Sequence, residues 1–318
     1  MRKLLAPFTG ILLLALSVSA HAEDKLTVML DWFVNPDHAP LILAQELGYF
    51  RAAGLAVALI APSDPNDPPK LVAAGKADLA VTYQPELHLQ VAGGLPLVRV
   101  GTLVSTPLNA LVALAGGPIK TLADLKGRKI GFSVGGFEDA LLGTMLEGAG
   151  LSLKDVTLIN VNFSLSPALM SGQVDAVVGA FRNFELNQLA IENHPGLAFY
   201  PEEHGVPAYD ELILVANKAA LADSRLPRFL DAVEQATLYL LNHPDEARAL
   251  FVKGRPELDD ELNRRAWTAT LPRFSHSPAA LDAVRYERFA AYLKARGLIE
   301  TLPALSSYAV VVERPVTR

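Results

Sequence analysis

Along almost the whole chain, short apolar runs rich in Val, Ile and Leu alternate with helix-length amphipathic stretches. KLTVML (25–30) followed by APLILAQELGYFRAAG (39–54) is the first instance. This alternation predicts βαβ units and largely parallel sheets. Further strands are expected at AVALI (56–60), Leu79 to Tyr83, Val98 to Val104, Ala110 to Leu114, Lys129 to Ser133, Thr157 to Val161, Ala176 to Ala180 and Leu212 to Ala216. The helix after the first strand is expected to end at RAAGL, with Gly54 just past its C-terminus, where a left-handed residue is favoured. SDPNDPP (63–69) has the composition of a turn and helix cap. Beyond Leu221 the pattern is mainly helical.

Two stretches echo one another. LVAAGKADLAV (71–81) and ALMSGQVDAVV (168–178) each close a helix with Gly and lead through Asp into an apolar strand, with Gly75 to Asp78 and Gly172 to Asp175 equally spaced. Chance likeness in an Ala/Val-rich chain is one account; two lobes of like construction is the better one. TLVSTPLNALVAL (102–114) is broken at Ser105-Thr106-Pro107, and EEHGVPAYDELILV (202–215) carries a second break before a strand. These two crossover segments predict an inserted lobe: residues 23–104 and 210–318 form lobe one, and residues 105–209 form lobe two. A ligand crevice is expected between them, outside the carboxyl ends of the strands.

Composition narrows the setting. Arg2 and Lys3 precede the apolar run Ile11 to Leu16 and then Ala20-His21-Ala22, so residues 1–22 are expected to be a cleaved secretory signal peptide. The run is too short for a membrane anchor, which needs roughly 20 apolar residues. With no cysteine to carry a lipid, the mature protein is expected free in the periplasm, without a direct membrane anchor. Losing Arg2 and Lys3 leaves 26 basic against 34 acidic residues, a net charge of −8, which argues against nucleic acid and anionic lipid as partners. The absence of cysteine also excludes disulfides, a thiol nucleophile and thiolate metal sites.

Candidate chemistry lies where strands end. LDWFVNPDHAP (30–40) follows the first strand with Trp32 and Phe33 as a flat apolar face and Asn35 and His38 as polar edges. Asp37 is expected to cap the next helix. IGFSVGGFEDALL (130–142) joins strand to helix through Gly135 and Gly136, which either satisfy turn geometry or let backbone N–H groups approach a ligand, while Glu138 and Asp139 are expected to favour the positive end of the helix. In GAFRNFELNQL (179–189), Glu185 is either paired with Arg182 or faces the crevice as an acceptor for amino groups. VPAYDELIL (206–214) offers Tyr209, Asp210 and Glu211, and Tyr83, Gln84 and Glu86 end an earlier strand in the same way. Aromatics, acids and amides with Arg182 as the one cation suit a flat, nitrogen-rich, neutral or weakly cationic molecule. The scattered histidines show no metal-ligand spacing, and no nucleophile elbow is present. Neither catalysis nor a metal or cofactor is expected.

LDWFVNPDHAP, GAFRNFELNQL and VPAYDELILV resemble the solute-binding proteins of bacterial transporters for thiamin pyrimidine precursors, a group similar to thiamin pyrimidine synthase. The likeness runs from about Lys25 to Ile299. It implies a type II-like, two-lobed periplasmic binding protein, acting as a monomer. Such a protein delivers N-formyl-4-amino-5-aminomethyl-2-methylpyrimidine or its hydroxymethyl relative to an ABC permease and its ATPase. The resemblance implies Trp32 and Tyr209 as ring contacts, Asn35, His38 and Glu185 as polar contacts, and Gly135 and Gly136 as lining. Pro40 departs from the small residue expected at the start of the first helix. The cysteine-rich motif of the synthases is absent, which favours transport over synthesis; a binding protein for another small nitrogenous or anionic solute, or a pyrimidine-forming enzyme, is the alternative.

Overall fold

The computed structural model describes residues 23–301 and 303–313, so the expected signal peptide lies outside the described residues. The chain forms two five-stranded sheets. The first is built from β1 (Asp24–Met29), β2 (Leu55–Ile60), β3 (Leu79–Thr82), β4 (Leu97–Val104) and β10 (Leu212–Asn217), in the order β2-β1-β3-β10-β4. The second holds β5 (Asn109–Leu114), β6 (Lys129–Phe132), β7 (Thr157–Asn160), β8 (Ala176–Phe181) and β9 (Gly196–Phe199), in the order β7-β6-β8-β5-β9.

Strand direction corrects the expectation of largely parallel sheets. β10 runs antiparallel to both β3 and β4, and β5 runs antiparallel to both β8 and β9. Both sheets are therefore mixed, each with one reversed strand in fourth place. Both reversed strands are buried on both faces, so they show the same continuous apolar run as their parallel neighbours and hydropathy cannot tell them apart. The short strand β9 was not anticipated. It is a half-buried edge strand of four residues, with too little apolar patterning to register.

Eleven α-helices are present among the described residues. They are α1 (Ala39–Glu46), α2 (Tyr49–Ala52), α3 (Pro68–Ala73), α4 (Gln84–Ala92), α5 (Phe137–Gly148), α6 (Leu165–Met170), α7 (Glu185–Ile191), α8 (Arg225–Asn242), α9 (Pro244–Val252), α10 (Glu261–Thr270) and α11 (Ala283–Ala295). The helical stretch after β1 breaks into α1 and α2 at Gly48, whose φ of 77° is left-handed, and ends at Gly54 with φ 72°. Pro40 lies in the first turn of α1, where a missing N–H costs nothing.

Side chains alternate across the strands, and in β8 an irregularity at Gly179, φ 93°, shifts the alternation by one residue. Leu212, Leu214 and Ala216 of β10 face one core with α1, α8 and α11 through Leu41, Phe229 and Phe289, while Ile213 and Val215 face another with Val72, Leu87 and Tyr308. In the second sheet, Ala176 and Val178 of β8 join Leu142 and Met145 of α5, whereas Val177 and Ala180 join Leu165 and Leu169 of α6. Trp32, from the loop after β1, belongs to this last cluster and thus crosses from one lobe into the other. The fold is α/β and two-lobed, with the chain passing between sheets after β4 and again before β10.

Candidate ligand-binding site

A narrow cavity, with only about 20 Å³ of room for a water-sized sphere, lies between the sheets and is lined from both. The first lobe supplies Asp31, Trp32 and Asn35 from the loop after β1 and Tyr83 from the end of β3. The second supplies Ser133 and Glu138 from the β6–α5 junction, Leu165 from α6, and Gly179, Phe181, Phe184 and Glu185 from the end of β8 and the start of α7. Every one sits at the carboxyl end of a strand or the helix start that follows it, the ligand side of an α/β sheet.

Local hydrogen bonds hold these groups. Asn35, rather than the expected Asp37, caps the turn after β1: its Oδ1 accepts from Asp37 N–H at 2.8 Å. His38 does not line the cavity. It is buried, its Nδ1 accepts from the Asn35 backbone N–H at 3.3 Å, and its Nε2 lies 2.9 Å from Asp31 Oδ1. Because Nδ1 accepts, the geometry assigns the proton to Nε2, which donates to Asp31. Tyr83 donates to the other oxygen, Oδ2, at 2.9 Å. Asp31 is thereby oriented by two donors, and burial together with that carboxylate raises the Tyr83 phenol well above its usual range.

Trp32 packs edge-on against Phe163 with ring centroids 4.6 Å apart, and Phe33 bridges to Phe184 at 5.8 Å. The Trp32 indole N–H has no hydrogen-bond partner among the described residues. A buried donor facing a cavity without an acceptor is costly unless a ligand supplies one.

Glu185 accepts from the Phe181 N–H at 2.7 Å, and burial pushes its carboxyl up to about 7. Arg182 is not its partner. That guanidinium forms a forked pair with Glu202, at 2.6 and 3.0 Å, and stacks over Tyr200. Among the described residues, no cation lines the cavity.

Gly135, Gly136 and Tyr209 are not among the lining residues. The Gly135 N–H donates to Asn66 Oδ1 at 3.1 Å, and the Gly136 N–H donates to Asp139 Oδ2 at 3.2 Å, so neither is turned toward the cavity. Gly136, with φ 92°, serves turn geometry. Tyr209, at the second crossing, is buried against α11 of the first lobe, edge-on to Phe289 at 5.5 Å, with its phenol raised by burial and by Glu211.

Several bonds join the lobes around the cavity. Asn183 Nδ2 donates to Asp37 Oδ1 at 2.6 Å and to Thr270 Oγ1 at 2.7 Å, and Asn66 Nδ2 donates to the Ser133 carbonyl at 3.1 Å. Asp37, expected as a cap, is instead a buried bridge, and burial lifts its carboxyl to about 6.

Asp31, Ser133, Leu165, Gly179, Phe181 and Phe184 were not singled out in the sequence, and Glu138 was read as a helix-end charge. Gly179 carried a usable signal, because an isolated glycine inside an apolar strand marks close approach by another group.

Two lobes sharing one cavity at their strand ends define a periplasmic-binding-protein fold. The alkanesulfonate-binding protein SsuA from Xanthomonas axonopodis pv. citri bound to MOPS superposes with a TM-score of 0.69 at 19% identity, covering 92% of this chain and 98% of that one. That likeness shows the fold alone. The chain belongs to the NMT1/THI5-like family, whose model matches residues 35–247. A Haemophilus influenzae protein named for thiamine biosynthesis is 56% identical over 314 residues, 98% of this chain and 100% of the relative. The formylaminopyrimidine-binding protein of Halalkalibacterium halodurans is 34% identical over 288 residues, 88% and 87% of the two chains. The 4-amino-5-hydroxymethyl-2-methylpyrimidine phosphate synthase of Legionella pneumophila is 26% identical over 270 residues, 82% and 83%.

Proposed function

We propose that this protein is the periplasmic solute-binding component of an ABC importer that captures a thiamin pyrimidine precursor, N-formyl-4-amino-5-aminomethyl-2-methylpyrimidine or its hydroxymethyl relative. The observation that carries this reading is the cavity itself, which combines aromatic rings with the carboxyl groups of Asp31 and Glu185 and contains no cation. An aminopyrimidine presents N–H donors beside ring acceptors. Asp31 and Glu185 accept the former, the unpartnered Trp32 N–H meets the latter, and Trp32 and Tyr83 supply faces for stacking, worth roughly 0.5–1.5 kcal/mol per aromatic pair beyond area burial. The name of the Halalkalibacterium relative supports the same ligand class.

In this reading residues 23–104 and 210–318 move as one lobe and residues 105–209 as the other. Ligand stabilises the closed form by touching both, and the shift is limited by its differential affinity for closed over open. His38 acts through Asp31, while Gly135, Gly136 and Tyr209 shape the surroundings. The absence of cysteine weighs against the synthase activity named for the Legionella relative.

The test is calorimetric titration of mature protein, refolded to strip carried-over ligand, with the two pyrimidines in parallel. Sub-micromolar binding of either, with a change in tryptophan fluorescence that is lost in Trp32→Phe, is expected. A folded protein that binds neither would remove the pyrimidine from the reading.

A further inference from the structure

The β6–α5 junction has the architecture of an anion site. The N–H groups of Ser133 and Val134, in the loop between β6 and α5, stand side by side at the edge of the cavity, an arrangement of backbone donors that favours negative charge. Here those groups already have an occupant from the same chain. Glu138 is buried, and its Oε2 accepts from the Ser133 N–H at 2.8 Å while the Val134 N–H also bonds to the carboxyl.

Room for this arrangement comes from the neighbouring strand. A Cβ on Gly179 would lie 2.3 Å from Glu138 Oε1 and 2.6 Å from its Cδ, and Gly179 has a φ of 93°, so both sterics and backbone demand glycine there. Burial raises the Glu138 carboxyl well above the ordinary range, Asp139 and Glu211 add to the rise, and the two N–H bonds oppose it. Bringing a further negative charge into this corner would face the same desolvation and repulsion with the Ser133 and Val134 N–H groups already taken.

We propose that Glu138 is a specificity-determining residue that plugs the backbone nest of the β6–α5 loop from within, so that the cavity rejects phosphorylated and sulfonated solutes and accepts uncharged or cationic N–H-bearing ones. The inference rests on the cleft being the ligand site, and it deepens the aminopyrimidine reading by naming what excludes the phosphate ester of the same ring.

The experiment compares full-length mature wild type with Glu138→Ala and Glu138→Gln, titrated with hydroxymethylpyrimidine, its phosphate ester and inorganic sulfate, after circular dichroism and melting show that each is folded. Wild type should prefer the unphosphorylated ring. Glu138→Ala should reduce that preference by about 10- to 100-fold and gain sulfate binding, because two N–H donors are released to a charged acceptor. Glu138→Gln keeps an acceptor in the nest and should keep sulfate out. Should Glu138→Ala fail to fold, Glu138→Ser, whose short side chain also vacates the nest, is read by the same gain. Sulfate binding unchanged in folded Glu138→Ala or Glu138→Ser, or wild type binding sulfate as well as those variants, overturns the proposal. If wild type binds neither form of the pyrimidine, the aminopyrimidine reading fails by itself and the sulfate comparison still decides the role of Glu138.

Discussion

The two lobes share a plan and differ in how they are finished. Each sheet runs second, first, third, reversed, fourth in its own strand sequence. In each, a left-handed glycine, Gly75 or Gly172, ends a helix three residues before an aspartate that locks the third strand to the first. Asp78 N–H donates to the Thr27 carbonyl at 3.1 Å and its Oδ2 accepts from Thr27 N–H at 2.8 Å; Asp175 makes the same pair of bonds to Lys129, both at 2.8 Å. Beyond that, the first lobe carries α8 to α11 and a C-terminal segment, and the buried guanidinium of Arg99 ties them down. It donates to the carbonyls of Pro278 at 3.0 Å, Ala279 at 3.3 Å, Ala280 and Val310 at 3.2 Å, and to Thr102 Oγ1 at 2.8 Å. A repeated frame thus sets the sheets, and lobe-specific polar stitches set what is attached to them.

The largest effect should come from breaking that asymmetry. Arg99→Met removes five hydrogen bonds from a buried site and strands the four carbonyls they served, so unfolding stability should fall by about 3–5 kcal/mol. Hydrogen exchange should show the loss concentrated around residues 278–310, with the second sheet protected as before; uniform loss over both lobes would mean that Arg99 serves the whole molecule.

Next comes the cavity side of the comparison. Glu185 has an ordinary carboxyl value of 4.5 and sits at about 7 in the fold, so the folded state holds its proton between those values. Its contribution to stability is fully present below about pH 4.5 and lost as pH rises through 7, because the unfolded chain binds fewer protons in that window. Glu185→Gln should therefore stabilise the ligand-free protein at pH 8 by about 1–3 kcal/mol and flatten the decline between pH 5 and pH 7, while weakening pyrimidine binding. Urea titrations at pH 5 and pH 8 provide the check, and an unchanged pH slope would show that the buried carboxyl is already solvated.

The smallest effect sharpens the shared plan. Asp78→Asn and Asp175→Asn should each cost about 1–2 kcal/mol. Asp78 should cost the more, since it also pairs with Arg225 at 2.8 Å whereas Arg128 lies 3.5 Å from Asp175. A reversed ranking would show that the outer ion pair, rather than the strand lock, is without effect.

The repeated frame was legible because it depends on local chemistry: apolar runs of strand length, glycine where the backbone turns left-handed, aspartate where a strand begins. Strand direction was not, since β5 and β10 are buried on both faces and look like their parallel neighbours. In the cavity, Trp32, Asn35, Tyr83 and Glu185 stood out because aromatics, amides and acids at strand ends are unusual for loops that only turn the chain. Asp37 and Glu138 were misread for a common reason. An acid near a helix start is ordinarily a cap or a dipole partner; only the second lobe's approach makes Asp37 a bridge to Asn183, and only the fold-back of its own loop makes Glu138 the occupant of a backbone nest. Tyr209 is an aromatic in a crossing segment, and the sequence does not show that α11 covers it.

The strand order also sets a timetable for biosynthesis. All five strands of the second sheet lie within residues 109–199 and can pair as soon as that stretch has emerged. The first sheet begins earlier yet must wait: β3 and β4 are neighbours of β10 and not of each other, so a slot stays open until residues 212–217 arrive. In a chain delivered N-terminus first, the inserted lobe is the one that can mature first, and the lobe that starts the polypeptide is the last to close. Until then, its central strands present unpaired edges to whatever guards newly made chains.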